Sequence, residues 1–257
     1  MMQRLHLLIA LLFATNIYAQ QEYTVITYIG HHNLDRPAVT EDILYLSPDQ
    51  KTSYYQLGPY KFTKDLAFPK ELGKVIVVQD KSSGNTDQFL YFDFDKGTLH
   101  SRVIPWKKPY LIKEPIPTMR WKLHQETKII DNKTLHKATT TFRGRNYTAW
   151  YSLDYPISIG PWKFNNLPGL AFAITEENEN YSWYLTDIKK EMLKALPLHH
   201  DLNRGAISLK DFSVAFHNEI KLEDRMFSSR LPKDLEIISS KSNSNELFKK
   251  QIELTYD

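Results

Sequence analysis

The sequence predicts an α+β protein dominated by β-structure: one strongly curved antiparallel sheet or half-barrel, with a C-terminal helix. Three observations predict it. The chain carries 15 Tyr, 13 Phe and 5 Trp in 257 residues, and aromatic side chains favour the pleated, half-buried surface of strands. Short β-rich runs separated by turn residues recur through the first 190 residues. A single helical periodicity appears only after them.

Residues 1–19 read as a secretory signal. Arg4 is the only charged residue before the apolar run Leu7 to Ala14, and Ile17-Tyr18-Ala19 offers a small residue at the cut. The run is well short of the roughly 18–20 residues that span a bilayer. The expectation is cleavage after Ala19, export to the periplasm or the extracellular side of a Gram-negative envelope, and no transmembrane span. Residues 20–190 then form an antiparallel β domain. Residues 191–257 form a helical, partly flexible segment that packs on the same domain.

Within the β domain, Tyr23–Ile29, Glu41–Leu46 and Thr52–Leu57 read as strands, the last two joined at Ser47-Pro48-Asp49-Gln50. Lys74–Gln79 has the pattern of a short buried strand. Gln88–Phe94 and Thr98–Ile104 form a hairpin across Asp95-Lys96-Gly97. The Pro-rich stretch Pro105 to Pro117 reads as a crossing loop or irregular edge, followed by strand-like Trp121–His124 and Lys128–Ile130. Two longer hairpins pair Thr134–Phe142 with Asn146–Ser152, and Leu170–Thr175 with Tyr181–Ile188. Period-2 alternation separates Leu170, Phe172 and Ile174 from the small Ala171 and Ala173, which suggests a close approach by a loop or helix on the alanine face. It also places Tyr181, Trp183 and Leu185 on one face. Further on, Ser208 followed by Asp211 resembles a helix start. Phe212, Phe216 and Ile220 recur at helical spacing, predicting a helix from about Leu209 to about Ser228. Ser239 to Asn245 looks flexible, and Glu246 to Asp257 reads as a short helix or a returning strand.

Composition excludes several functions. Without cysteine there is no thiol catalysis, disulfide framework or thiolate metal site. A net charge of +3 gives no basic stripe for nucleic acid. No dinucleotide turn, P-loop, Gly-x-Ser-x-Gly elbow or His-Glu-x-x-His helix occurs. No catalytic residue, cofactor or metal is therefore assigned. The adjacent pairs His31-His32 and His199-His200, each near an aspartate in loop-like sequence, read as solvated loop histidines rather than ligands. His124 and His136 read as half-buried polar partners on strands. Arg143 and Arg145, with Lys137, flank one hairpin. They read either as a solvated tip or as an anion contact, since guanidinium binds phosphate and carboxylate bidentately. Trp150, Tyr151, Trp162 and Phe164 are the candidate contacts for an apolar ligand.

Residues 160–170, Gly-Pro-Trp-Lys-Phe-Asn-Asn-Leu-Pro-Gly-Leu, form the most constrained stretch. Gly and Pro bracket two aromatics ahead of a strand-like run. The motif residues are Gly160, Pro161, Asn166, Leu167, Pro168, Gly169 and Leu170. Lys137-Ala138, Arg143–Arg145, Thr148-Ala149-Trp150-Tyr151 and Pro156-Ile157-Ser158 precede it in order. This succession resembles the core pattern of the GLPGLI family, exported proteins of Bacteroidetes-type bacteria named after a six-residue motif. Trp121, the upstream strands and the signal peptide are similar in kind and position. Two positions depart from the motif. Its first Gly is Asn166 and its last Ile is Ala171. Asn is the ordinary residue that best tolerates φ > 0, so the loop geometry survives the first change. The resemblance implies export and no particular reaction. The strand series is also similar to the curved half-barrels of bacterial lipoprotein carriers, a likeness of architecture only.

The function expected is that of a non-catalytic envelope module binding a hydrophobic or peptide-like ligand or an outer-membrane protein partner. A secreted hydrolase built from distant residues and a structural subunit of an outer-membrane complex stand as alternatives.

Overall fold

A computed structural model of the protein describes residues 20–34, 37–62, 80–83, 87–105, 108–198, 201–229, 252–253 and 255. In chain order the strands are β1 (Gln21–His32), β2 (Ala38–Leu46), β3 (Thr52–Gln56), β4 (Tyr60–Phe62), β5 (Asp80–Ser83), β6 (Phe89–Asp93) and β7 (Thr98–Val103). They continue as β8 (Tyr110–Pro115), β9 (Lys122–Ile130), β10 (Lys133–Phe142), β11 (Arg145–Ser152), β12 (Leu170–Glu176), β13 (Tyr181–Leu193) and β14 (Ile207–Ser208). Helix α1 (Leu209–Ser229) follows directly.

The strands form one open sheet in the order β14-β8-β7-β6-β3-β2-β1-β13-β12-β11-β10-β9, with β4 and β5 branching from β2. Every pairing is antiparallel except the short β14–β8 contact. The sheet is strongly curved. Eight strand spacings separate β8 from β11, roughly 38 Å on a flat sheet at the usual interstrand distance. Yet Arg143, in the turn before β11, reaches Glu114 of β8 at 2.8 Å. The curl brings the two flanks of the sheet together around one core. That core joins Tyr28, Leu44, Tyr55 and Phe92 from one flank to Leu135, Tyr147, Ile174 and Trp183 from the other.

Helix α1 lies against the β8 flank. Phe212, Phe216 and Ile220 are buried there with Tyr110 and Ile112. Ser208 Oγ accepts the Asp211 N–H at 3.0 Å and donates to the Asp211 carboxylate at 2.7 Å, which fixes the helix start. The expected helix and both long hairpins are present.

Other expectations change. Residues 122–130 form one strand rather than two. The Pro-rich stretch contains β8, whose prolines lie at or outside its ends, where a missing N–H costs little. His31 and His32 lie on β1, not in a loop, and His31 is buried. The expected strand at 74–79, residues 199–200, the stretches 1–19 and 239–245, and most of 246–257 fall outside the described residues.

Candidate functional site

The Gly160–Leu170 segment builds the floor of the site. Gly160 N–H donates to Phe164 O at 2.8 Å and Phe164 N–H to Pro161 O at 3.1 Å, closing a tight loop. Trp162 adopts φ +50° and Asn166 φ +65°. Asn166 thus takes the left-handed conformation that its position in the motif requires. Trp162 takes it too, at a backbone cost on the order of 1–3 kcal/mol that ring packing must offset. Its indole stacks on Trp183 with planes 2° apart, and Phe164 sits edge-on to Tyr147, Trp162 and Trp183. Trp121 Nε1–H donates to Asn165 O at 2.7 Å, and Asn165 Nδ2 donates to Pro117 O at 2.9 Å. The approach to the alanine face of β12 is made by this loop: a Cβ at Gly160 would lie 3.5 Å from that of Ala171. A Cβ on Gly169 would lie 2.1 Å from Ser152 O, so only glycine fits there.

Above this floor, between the inner face of the sheet and α1, lies a cavity of about 450 Å³. Its wall is largely apolar. Tyr55, Leu57 and Leu90 come from one flank, Tyr181 and Trp183 from β13, Trp162 from the loop, and Phe212 and Phe216 from the helix. This size and character fit a small-molecule site. A second depression of about 640 Å³ is larger, but hydroxyl and charged groups line it, with Tyr147 as its sole aromatic.

Two polar groups face the apolar cavity. In the first, Asp42 is buried and accepts hydrogen bonds from the Tyr55 hydroxyl at 2.5 Å and the Gly58 N–H at 2.9 Å. Burial raises its pKa to about 6 despite those bonds. Nearby, His32 Nε2 lies 3.5 Å from Thr40 Oγ1, and burial, with His31 adding repulsion, lowers its pKa to about 4. In the second group, Lys163 Nζ contacts Glu114 Oε1 at 2.5 Å and Glu253 Oε1 at 2.7 Å. Arg143 Nη2 contacts Glu114 Oε2 at 2.8 Å, and its Nε lies 3.8 Å from Glu253. The side chains of Lys163 and Glu114 are 4% exposed and that of Arg143 8%, so these charges are out of water.

Of the four expected ligand contacts, only Trp162 lines the cavity. Phe164 and Tyr151 are core residues, and Trp150 is half-buried on β11 beneath Lys128, whose Nζ lies 4.1 Å from the ring centroid. Period-2 alternation explains this split, since Tyr147, Ala149 and Tyr151 point into the core and Trp150 does not. Arg143 and Arg145 are neither a solvated tip nor open anion contacts. Arg143 is tied to Glu114, and Arg145 to Glu176 at 3.3 Å with both side chains buried. Lys137 pairs with Glu126. His124 meets Thr139 Oγ1 at 2.8 Å, as a half-buried partner should.

Sequence reasoning missed Asp42, Glu114, Lys163 and Glu253. Two of them carried a signal. Thr40, Asp42, Leu44 and Leu46 share the buried face of β2, and Tyr110, Ile112 and Glu114 share that of β8. A carboxylate in phase with apolar residues on a strand marks a buried charge that needs partners. Lys163 and Glu253 meet only through the fold.

No family model matches the chain, and no curated protein matches it. Among solved structures, it is similar to PNGF-II in two crystal forms. The P21 form has 16% identity over 73% of this chain and 31% of that one; the C2 form has 15% identity over 73% and 30%. The TM-score is 0.41 for each, and the chain spans less than a third of PNGF-II's length.

Proposed function

We propose that this chain is an exported, GLPGLI-type envelope protein that binds a hydrophobic or peptide-like ligand without chemistry of its own. The observation that carries the reading is the 450 Å³ cavity walled by aromatic and aliphatic side chains from the sheet, the loop and the helix. Burying an apolar ligand there is favourable by roughly 25 cal/mol per Å² of apolar surface. A neutral apolar fluorophore, N-phenyl-1-naphthylamine, tests it. One molecule should bind per chain with a large blue shift, and Val103→Trp, which fills the cavity from its wall, should weaken binding by about tenfold while the protein stays folded by circular dichroism. Saturable binding that is absent from the wild type, or unaffected by the filled cavity, would overturn the reading. Native mass spectrometry of protein taken from its own envelope then shows whether a small ligand or an outer-membrane partner travels with it. N-terminal sequencing of the same material should begin at Gln20.

A secreted hydrolase is the second reading, favoured by the contact of His32 with Thr40 beside the buried Asp42. It ranks second because His32 faces a hydroxyl rather than the carboxylate, and an imidazole with pKa about 4 is a weak general base. Turnover of chromogenic esters or peptides that disappears in Asp42→Asn would reverse the order.

A further inference from the structure

We infer that Lys163 and Arg143 form a carboxylate subsite in the wall of the apolar cavity, occupied in this structure by the chain's own Glu253 side chain, so that the cavity takes ligands with an apolar body and a terminal carboxylate. The inference rests on the cavity being a ligand site. Lys163 and Glu253 both line it, and Arg143 stands directly behind.

The charges of this subsite are two cations, Lys163 and Arg143, and two carboxylates, Glu114 and Glu253. The two carboxylates are not equivalent. Glu114 is fixed in the β7–β8 ladder, where it pairs with Leu99, and each of its oxygens serves one cation. Glu253 lies in none of the described strands or helices and reaches both cations through the single oxygen Oε1. Beside it Ile252 packs on the core cluster and also lines the cavity. Ile252 and Glu253 together present an apolar group and a carboxylate, the two features that the pocket offers to match.

Removing Glu253 leaves two buried cations facing one anion. An unpaired charge out of water is costly, so the site demands another anion. Arg143 has capacity to receive one. Its Nη1 is buried and has no hydrogen-bond partner among the described residues. A planar carboxylate between Lys163 Nζ and the Arg143 guanidinium would restore charge balance. A neutral head group would not.

Two sources share this chemistry: a medium-chain acyl carboxylate and the free C-terminus of a short apolar peptide. Calorimetric titration of the purified protein with dodecanoate and dodecanol, and with acetyl-Leu-Phe as acid and as amide, separates them. The expected result is tighter binding of an acid than of its neutral counterpart, with the favoured pair naming the source. In Glu253→Gln the acid should gain about tenfold in affinity, the competing charge having gone, while the neutral compound changes by less than about twofold. Glu253→Ala should behave alike, and thermal melts confirm that both variants fold. Equal binding of acid and neutral compound, unchanged in the Glu253 variants, would overturn the subsite and leave the apolar cavity standing. Failure of all four compounds to bind wild type and variants would overturn both. Lys163 is left intact because its removal would leave Glu114 buried and short of one partner.

Discussion

Single residues decide how the motif loop turns. The carbonyl of Ser152 occupies the space that any side chain at 169 needs. Gly169→Val should therefore destabilise by on the order of 3 kcal/mol, read by denaturant melts, whatever its effect on binding. Asn166 sits at φ +65°, and Asn166→Ala should cost about 1 kcal/mol while Asn166→Gly should cost less. The buried titratable groups give stability a pH dependence with opposing parts. His31 and His32 have pKa values lowered from 6.5 to about 4, so their contribution is present above pH 6.5 and is lost as pH falls toward 4. Asp42 is raised from 3.8 to about 6, so its contribution is present below pH 3.8 and is lost as pH rises through 6. Two imidazoles outweigh one carboxylate, and the melting temperature should fall on acidification from pH 6.5 to 4. Asp42→Asn removes the opposing part, so its melting temperature should fall more steeply over the same window.

At the scale of elements, local patterning carried most of the assignment. The β10–β11 and β12–β13 hairpins and α1 were legible because alternation and helical spacing are properties of consecutive residues. β8 was hidden by its prolines, and the very short β4 and β14 carry too few residues to show a period. Glu176 shows what such reading omits. Its carboxylate accepts N–H groups from the backbones and side chains of both Asn178 and Asn180, at 3.0 to 3.2 Å, and pairs with Arg145. One buried anion thus shapes the whole β12–β13 turn. Glu176→Gln should destabilise by about 3 kcal/mol or more, because it leaves Arg145 buried without its counter-charge, and amide exchange should quicken first in residues 176–181. Ser208→Ala removes the α1 cap and should cost about 1 kcal/mol, with a loss of helical signal measurable by circular dichroism.

At the scale of the molecule, curvature is the decisive property. It converts a sheet that would otherwise separate β8 from β11 into one that traps Trp162, Trp183 and Tyr55 around a common space. It also explains why Phe164 and Tyr151 are core residues, whereas strand alternation keeps Trp150 out. On a flat sheet, any aromatic residue offers a surface. On a curled one, the residues nearest the centre become core, and only those at the margin of the packing, such as Trp162, still face the cavity. Among the described residues the exposed large apolar side chains are spread over several elements: Leu123 and Ile129 on β9, Leu153 just after β11, Met192 on β13, and Val214, Leu222 and Met226 on α1.

The sequence by itself determined the β-dominated fold with its late helix, the position of most strands, and the left-handed turn at Asn166, because periodicity and backbone preference are local. Only the tertiary structure decided that Arg143 and Lys163 are buried partners of Glu114 and Glu253. Those residues are 29 to 110 positions apart, and the Coulomb interaction that selects them depends on distance in space and on exclusion of water, neither of which is written in the spacing of residues along the chain. Tertiary packing likewise buried both Phe164 and Trp162 in the core but left only Trp162 a face on the cavity, although the two are separated by a single residue.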